Sequence, residues 1–488
     1  MSRNSSGQNA GNSDKVFERA GVSKDEFYNN ASIIQSKQIQ QRENEDVMPV
    51  FLDGQTSHKL PHSIHRLIGG SMENGIKKKL GENLLDSFAF IFTQPGGRGV
   101  VAVAMEWSDK DPNKYTLHVR KNYPSYSELV HISKAIEEWF ADEPGDATKD
   151  VLELDRNDTL WEIILHNCHQ GISLLIRNGF GRRNKSQKIS ALSDALKRAI
   201  DKNSNPHTTE AGNDIILEVL REFKKFLRTR DRATSLHKIT ELCFKLAESH
   251  GTDMKERFNT LKGEFKREYQ FSNRIEHLIY SLANYRRAWY DIAYFRAQHN
   301  STTLNIKFNL DQPSSSMKQF PKPEILKING KGIFDETKKE SSYKTKIKRM
   351  KKRSKIYGGE VEYWKHCEMQ ILELLLDFDG KETFFDYIGR SKCPCWLCHH
   401  ILSSMTSEFR MRRSHMKLYP KWKPPEFRSE QNQKRLAKKL KLLHEKMAEL
   451  VTQPGTDKSG STQTDCPDIK DTFLSPRREY PICNNGQS

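Results

Sequence analysis

Residues 387–398 read YIGRSKCPCWLC, and residues 365–372 read KHCEMQIL. The first stretch carries a C-x-x-C pair, Cys395 and Cys398, directly after Pro394. At the start of a helix both thiolates of such a pair point at one spot, and the helix N-terminal amides lower thiol pKa. Strand-like Phe384–Ile388 precedes the pair, and Gly389-Arg390-Ser391-Lys392 makes the connection. Pro394 suits a first helical turn, where its missing N–H costs little. Taken alone, the pair fits a redox dithiol or half of a structural zinc knuckle.

The upstream stretch narrows the choice. His366-Cys367-Glu368 supplies an H-x-E, and H-x-E followed by P-C-x-x-C is the signature of zinc deaminases. One helix and one strand fit between the two motifs, so that both helix N-termini meet at one edge of a sheet. Positions i and i+2 of a helix lie roughly 200° apart, so His366 and Glu368 cannot serve one metal from a helix flank. They can do so from the first turn, which places His366 at a helix start. Gly358-Gly359 offers the break, and Trp364, Ile371, Leu375 and Phe378 give the buried stripe that follows. In this reading His366, Cys395 and Cys398 are ligands of Zn2+, and the fourth position stays open for the water that acts as nucleophile. Glu368 is the proton shuttle and not a ligand. Cys367 and Cys393 are the residues that threaten it. A thiolate from either would close the open position and make the site structural.

KHCEMQIL (365–372), YIGRSKCPCWLC (387–398) and SHMKLYPKWKPP (414–425), in this order, resemble the fungal branch of the Orientia-type deaminase family, within the nucleic-acid/nucleotide deaminase superfamily. The resemblance spans residues 355–427. It implies a three-layer α/β/α, cytidine-deaminase-like fold with a central mixed sheet. It also implies zinc on His366, Cys395 and Cys398, and a base in a nucleotide or nucleic acid as substrate. Ser391, Lys392, His415 and Trp422 match family positions near the site, where the resemblance implies substrate contact or packing.

Outward from this region the chain divides by composition. Residues 1–48 are polar and read as disordered. Residues 49–150 read as a small, separate α/β unit. In it Phe88–Phe92, Val100–Trp107 and the alternating Tyr115, Leu117 and Val119 are strands, and a helix with Leu129, Ile132, Ile136 and Trp139 follows. Residues 151–300 read as helical, with stripes such as Leu160, Ile164, Cys168, Ile172 and Leu175. His166, Cys168 and His169 in this stretch are better explained by one apolar helix face than by a metal. Residues 301–354 hold a strand (302–310) and a basic linker, with KTKIKRMKKRSK at 344–355. The zinc domain occupies 355–430, a basic amphipathic helix 431–451, and a disordered tail 452–488. The fold class is thus α/β with a large helical part.

The formal net charge of +17 over 488 residues attracts polyanions. The 344–355 run fits a phosphate-backbone contact, a nuclear-import signal or a solvated linker. The N-terminus has no apolar h-region, and no apolar stretch reaches membrane-spanning length. The expectation is an intracellular protein of nucleus or cytoplasm, without a membrane partner, whose eight cysteines are free thiols or metal ligands. The function expected is zinc-dependent hydrolytic deamination of a cytosine- or adenine-type base in a nucleic acid or nucleotide. The alternatives are a zinc-bearing scaffold of the same fold that lacks catalysis, and a redox C-x-x-C protein.

Overall fold

The computed structural model describes residues 11–44, 73–93, 99–108, 110–122, 127–142, 159–180, 184–202, 210–228, 233–249, 251–261, 265–297, 304–310, 324–327, 360–378, 383–411, 417–419 and 421–452. They divide into two compact units, one drawn from Met1–Ala89, Gly99–Val130 and Leu304–Cys466, the other from Phe90–Arg98, His131–Thr303 and Pro467–Ser488. Among the described residues no helix is long and apolar enough to cross a membrane. The basic run at 344–355 and the tail after residue 452 lie outside the described residues.

The first unit is organised on two small sheets. β1 (Val101–Ser108) and β2 (Asp111–Lys121) form an antiparallel hairpin, with Val103 opposite Val119 and Met105 opposite Leu117. β3 (Asn305–Asn309) adds parallel to β2, and a two-residue β6 (Gly389–Arg390) adds antiparallel to β1, giving the order β3-β2-β1-β6. The second sheet runs β4-β5-β7, from Glu324–Lys327, Glu360–Lys365 and Trp422–Lys423, with β5 and β7 parallel. Through β6 the hairpin expected in a separate N-terminal unit shares a sheet with the zinc region. Residues 122–366, including most of the second unit, intervene in sequence between β2 and the helix after β5.

Four helices of this unit place the site. α11 (Cys367–Asp377) buries Met369, Ile371, Leu372 and Leu375 and packs on β1 and β2; α12 (Trp396–Met405) buries Leu397, Ile401 and Leu402. α13 (Glu430–Thr452) packs on α12 through the expected stripe of Leu436, Leu440, Leu443 and Met447. Ala102 and Ala104 of β1 join these side chains in one core. α3 (Glu73–Phe92) meets β6 so closely that a Cβ on Gly389 would stand 2.3 Å from the Leu85 backbone. Asp86 of α3 also accepts from the Tyr387 hydroxyl at 2.8 Å and from the Arg390 amide at 3.0 Å.

Two expectations are corrected here. Phe88–Phe92 is the end of helix α3, not a strand. A short apolar run cannot distinguish the two, and Leu80, Leu84, Leu85 and Phe88 recur at helical spacing and are buried. The N-terminal stretch, expected to be disordered to residue 48, forms α1 (Gly11–Ala20) and α2 (Lys24–Asn44). Its few apolar residues, among them Phe17, Phe27, Tyr28 and Ile34, enter the core shared with α11 to α13. Local composition hid this because the apolar partner lies more than 400 positions away, in α13.

The second unit contains helices α5 to α10, at Thr159–Gly179, Lys185–Lys202, Glu210–Arg228, Ala233–Ser249, Gly251–Thr260 and Lys266–Ala297. α4 (Ser127–Ala141) leads into it. α10 packs on α8 and α5, burying Ile164, Ile172, Leu246, Leu282 and Ile292. Cys168 is part of that core, with its thiol pushed up to about 12 by burial, so the apolar-face reading of this segment holds.

Candidate metal centre

β5 leads directly into α11, and His366 is the N-cap residue between them, with extended backbone (φ −66°, ψ 153°). The ring therefore projects off the helix end, and Glu368 follows in the first turn. Trp364 belongs to β5, in register with Trp422, and not to the helix stripe; Gly358-Gly359 lie outside the described residues. Asn122, just past β2, accepts from the Cys367 amide, and the Gln370 side chain donates to the carbonyls of Lys365 (3.0 Å) and Lys121 (3.3 Å). The α11 N-terminus is thus fixed to the ends of β2 and β5.

α12 repeats the arrangement. Cys395 is its N-cap, and Sγ accepts from the Cys398 amide at 3.4 Å. Pro394 precedes the cap and so stands outside the first turn expected for it. The Trp396 amide donates to the Lys417 carbonyl at 3.0 Å.

The two helix starts bring three donors together. His366 Nδ1 lies 3.7 Å from Cys395 Sγ and 3.4 Å from Cys398 Sγ, and all three side chains are buried. Ordinary Zn–N and Zn–S bond lengths at a tetrahedral angle require N···S separations of about 3.5 Å. Among the described residues this is the one cluster of three or more His, Cys, Asp or Glu donors able to hold a metal ion, with its ligand atoms within 4.8 Å of one another. One His and two Cys suit zinc and leave a tetrahedral ion one further position.

The protons of the cluster are arranged for exchange with a cation. Burial pushes the Cys395 thiol up, but the Cys398 thiol and the His366 ring pull it down further, to about 6. Burial disfavours charge on His366, yet Cys395, Glu368 and the Lys421 carbonyl hold its pKa above the usual value. Burial and the neighbouring Cys395 thiolate push Cys398 well above the ordinary thiol range. A divalent metal displaces protons from such donors when it binds. The Lys421 carbonyl accepts from the His366 ring, the outer contact that orients a ligating imidazole.

Glu368 lies beside this cluster and outside it. It is 2 % exposed, with Oε2 3.9 Å from Cys398 Sγ and 3.3 Å from Cys367 Sγ. Cys367 donates to that carboxylate, and burial together with Glu368 pushes its thiol well above the ordinary range. It is a neutral hydrogen-bond donor that stands outside the three-donor set. Cys393 also stands outside the cluster. It is disulfide-bonded, a correction to the expectation of free thiols, whereas Cys168, Cys243, Cys367, Cys395 and Cys398 are free.

The remaining expected residues take different places. Ser391 Oγ accepts from the Val101 amide at 2.9 Å, tying β6 to β1. Lys392 is exposed. Trp422 is fully buried, its ring 6.3 Å from that of Phe27. His415 lies outside the described residues. The positioning groups that the sequence did not disclose are Asn122, Asp86, Tyr28, whose hydroxyl donates to the Trp422 carbonyl, and the Lys421 carbonyl. Each acts across a long sequence separation, and two involve backbone carbonyls that carry no residue signature.

A His/Cys/Cys donor set at two helix N-termini, with a buried carboxylate alongside, makes a candidate metal centre. Comparison with known families agrees: residues 365–426 match the model of a family described as OTT_1508_deam-like deaminase. No curated protein and no solved structure matches the chain.

Proposed function

We propose that this chain is a zinc-dependent hydrolytic deaminase acting on a base, of cytosine or adenine type, in a nucleic acid or nucleotide. The observation that carries the reading is the position of Glu368, buried and 3.9 Å from Cys398 Sγ, yet outside the three-donor set. A structural zinc site has no use for such a carboxylate. Zinc held by His366, Cys395 and Cys398 would supply Lewis-acid activation of water and lower its pKa toward neutrality. Glu368 accepts a proton from the attacking water, delivers it to the ring nitrogen, and then serves the departing ammonia. Water adds at the amine-bearing carbon, the C–N bond breaks, and a carbonyl replaces the exocyclic amine. The Cys367 thiol, donating to Oε2, holds the carboxylate in place.

Two features support the finer readings of fold and substrate. On β6, Gly389 abuts α3, whereas the next residue, Arg390, interacts with Cys367 of α11. Successive strand residues face opposite sides, which fits helices on both faces of the sheet and hence the three-layer α/β/α fold. The net charge of +17 and the basic segment 344–355 favour a polyanionic substrate and suit an import signal.

The test is a panel of cytosine, adenine and guanine substrates as nucleosides, nucleotides, single-stranded DNA and RNA, with ammonia release as readout. Glu368→Ala is expected to keep its zinc and to lose turnover by at least about 100-fold. If wild type releases no more ammonia than Glu368→Ala on every substrate, the fold serves as a zinc-bearing scaffold and the deaminase reading fails.

A further inference from the structure

The helix that carries the two thiol ligands also carries polar side chains that the proposed reaction leaves unused. His399 and His400 follow Cys398 in α12, and α13 brings Lys439 and Lys446 against them. Lys446 Nζ stands 6.0 Å from the Trp396 ring centre, the Trp396 and His400 rings are 4.4 Å apart, and those of His399 and His400 are 5.5 Å apart. All four basic side chains are partly buried. Neither Lys439 nor Lys446 has a carboxylate partner among the described residues, and His399 Nδ1 and His400 Nε2 are buried with no hydrogen-bond partner.

This differs from two other lysines of the unit. Lys365 pairs with Glu373 and Glu426, and Lys423 with Glu426 at 2.8 Å. In the α12–α13 cluster like charges press on one another instead. Burial and then Lys446 hold the Lys439 ammonium below the usual lysine range. Basic groups withdrawn from water require a counter-charge. Among the described residues no carboxylate pairs with Lys439 or Lys446, and the positive end of the α12 dipole lies within its first turn.

We propose that Lys439, Lys446 and the His399–His400 pair form a phosphate site that holds the substrate beside the metal centre. The naming of the phosphate as the substrate's rests on the deaminase reading; the unpaired basic cluster does not. His399 and His400 sit within about one helical turn, ~5 Å, of the thiol ligands. Phosphates recur every ~3.4 Å along a stacked strand, so a phosphate next to the reacting base falls within reach. A nucleotide's own phosphate would meet the same chemistry.

The experiment measures binding to the zinc-loaded full chain, without turnover. The probes are a fluorescent single-stranded oligonucleotide followed by anisotropy at low salt, and inorganic phosphate and a nucleoside monophosphate as competitors. The double variant Lys439→Gln/Lys446→Gln is compared with Lys434→Gln/Lys438→Gln, which removes the same charge from the exposed face of α13. The first is expected to weaken oligonucleotide binding at least about tenfold and to lower the salt slope by about 1.4. The control loses clearly less, and Lys439→Arg/Lys446→Arg restores binding. Oligonucleotide binding that depends on the pair assigns a polymer phosphate; competition by the small phosphates alone, abolished in the variant, assigns a nucleotide. Overturning results are a wild type that binds no probe, or a Lys439→Gln/Lys446→Gln protein indistinguishable from wild type or from the control. Binding without turnover would sink deamination and leave the phosphate site standing, and turnover with binding unaffected by the variant would do the reverse.

Discussion

The Tyr28 hydroxyl donates to the Trp422 backbone carbonyl at 2.7 Å, in a buried contact that spans most of the chain. The carbonyl one residue earlier, that of Lys421, accepts from the His366 ring. Successive carbonyls of an extended strand point to opposite sides, so α2 secures one side of β7 while the other side orients a metal ligand. Tyr28→Phe keeps the ring and leaves a buried carbonyl unpaired, at a cost of about 1–3 kcal/mol. Zinc affinity is expected to fall about tenfold, the lower end for loss of an outer-sphere contact. Chelator competition and urea unfolding measure the two effects; unchanged zinc affinity would separate α2 from the metal centre.

Gly389 marks the place where α3 meets the sheet. A Cβ there would lie 2.3 Å from the Leu85 carbonyl carbon, a backbone atom that cannot swing aside. At Gly81 the corresponding clash, 2.8 Å, is with the Phe385 ring edge, which can move. Gly389→Ala should therefore cost at least about 3 kcal/mol, more than ordinary core overpacking, and Gly81→Ala clearly less. Denaturant midpoints give the comparison. Equal stability of the two variants would mean that α3 does not press on β6.

The metal-donor set was legible in the sequence, because its chemistry requires particular side chains at particular spacings. His366 at a helix start and the α13 stripe followed from periodicity and from the reach a metal ligand needs. What was hidden was the remainder of the scaffold. No spacing rule connects Ala102 with Arg390, which pair across β1 and β6, because residues 131–303 of the second unit intervene in sequence between the two halves of the first. Phe17, Phe27 and Tyr28 sit in polar sequence, and their burial depends on an apolar face supplied by α13. Ser391 matched by resemblance a position of substrate contact or packing, and its hydroxyl accepts from the Val101 amide.

Cys367 and Cys398 are both buried thiols near Glu368, but they differ in what they face. Cys398 Sγ is 3.4 Å from His366 Nδ1, whereas Cys367 turns to the carboxylate. Cys367→Ala is therefore expected to bind about one zinc per chain, while Cys395→Ser and Cys398→Ser lose most of it. Elemental analysis of purified protein decides. Loss of zinc from Cys367→Ala would place that thiol among the ligands.

Glu373 of α11 gives a dependence on pH away from the ligands. Burial pushes its carboxyl up to about 7, although Lys365 and the Glu426 amide pull it down; the charges around it are Lys365, Lys423 and Glu426. A folded-state pKa above the unfolded value stabilises the protein fully below the unfolded pKa, and the contribution is lost as pH rises through about 7. A shift of this size corresponds to about 3 kcal/mol. The Glu373 side chain keeps 19 % exposure, so solvent screening reduces the expected loss to about 1–2 kcal/mol between pH 5 and 8. Glu426 is shifted the other way, below the usual carboxylate range, so its contribution is already complete in that window. Urea unfolding of zinc-saturated wild type should therefore show stability falling from pH 5 to pH 8, and Glu373→Gln should flatten that slope. Parallel pH profiles for the two proteins would mean that Glu373 is already ionised at pH 5.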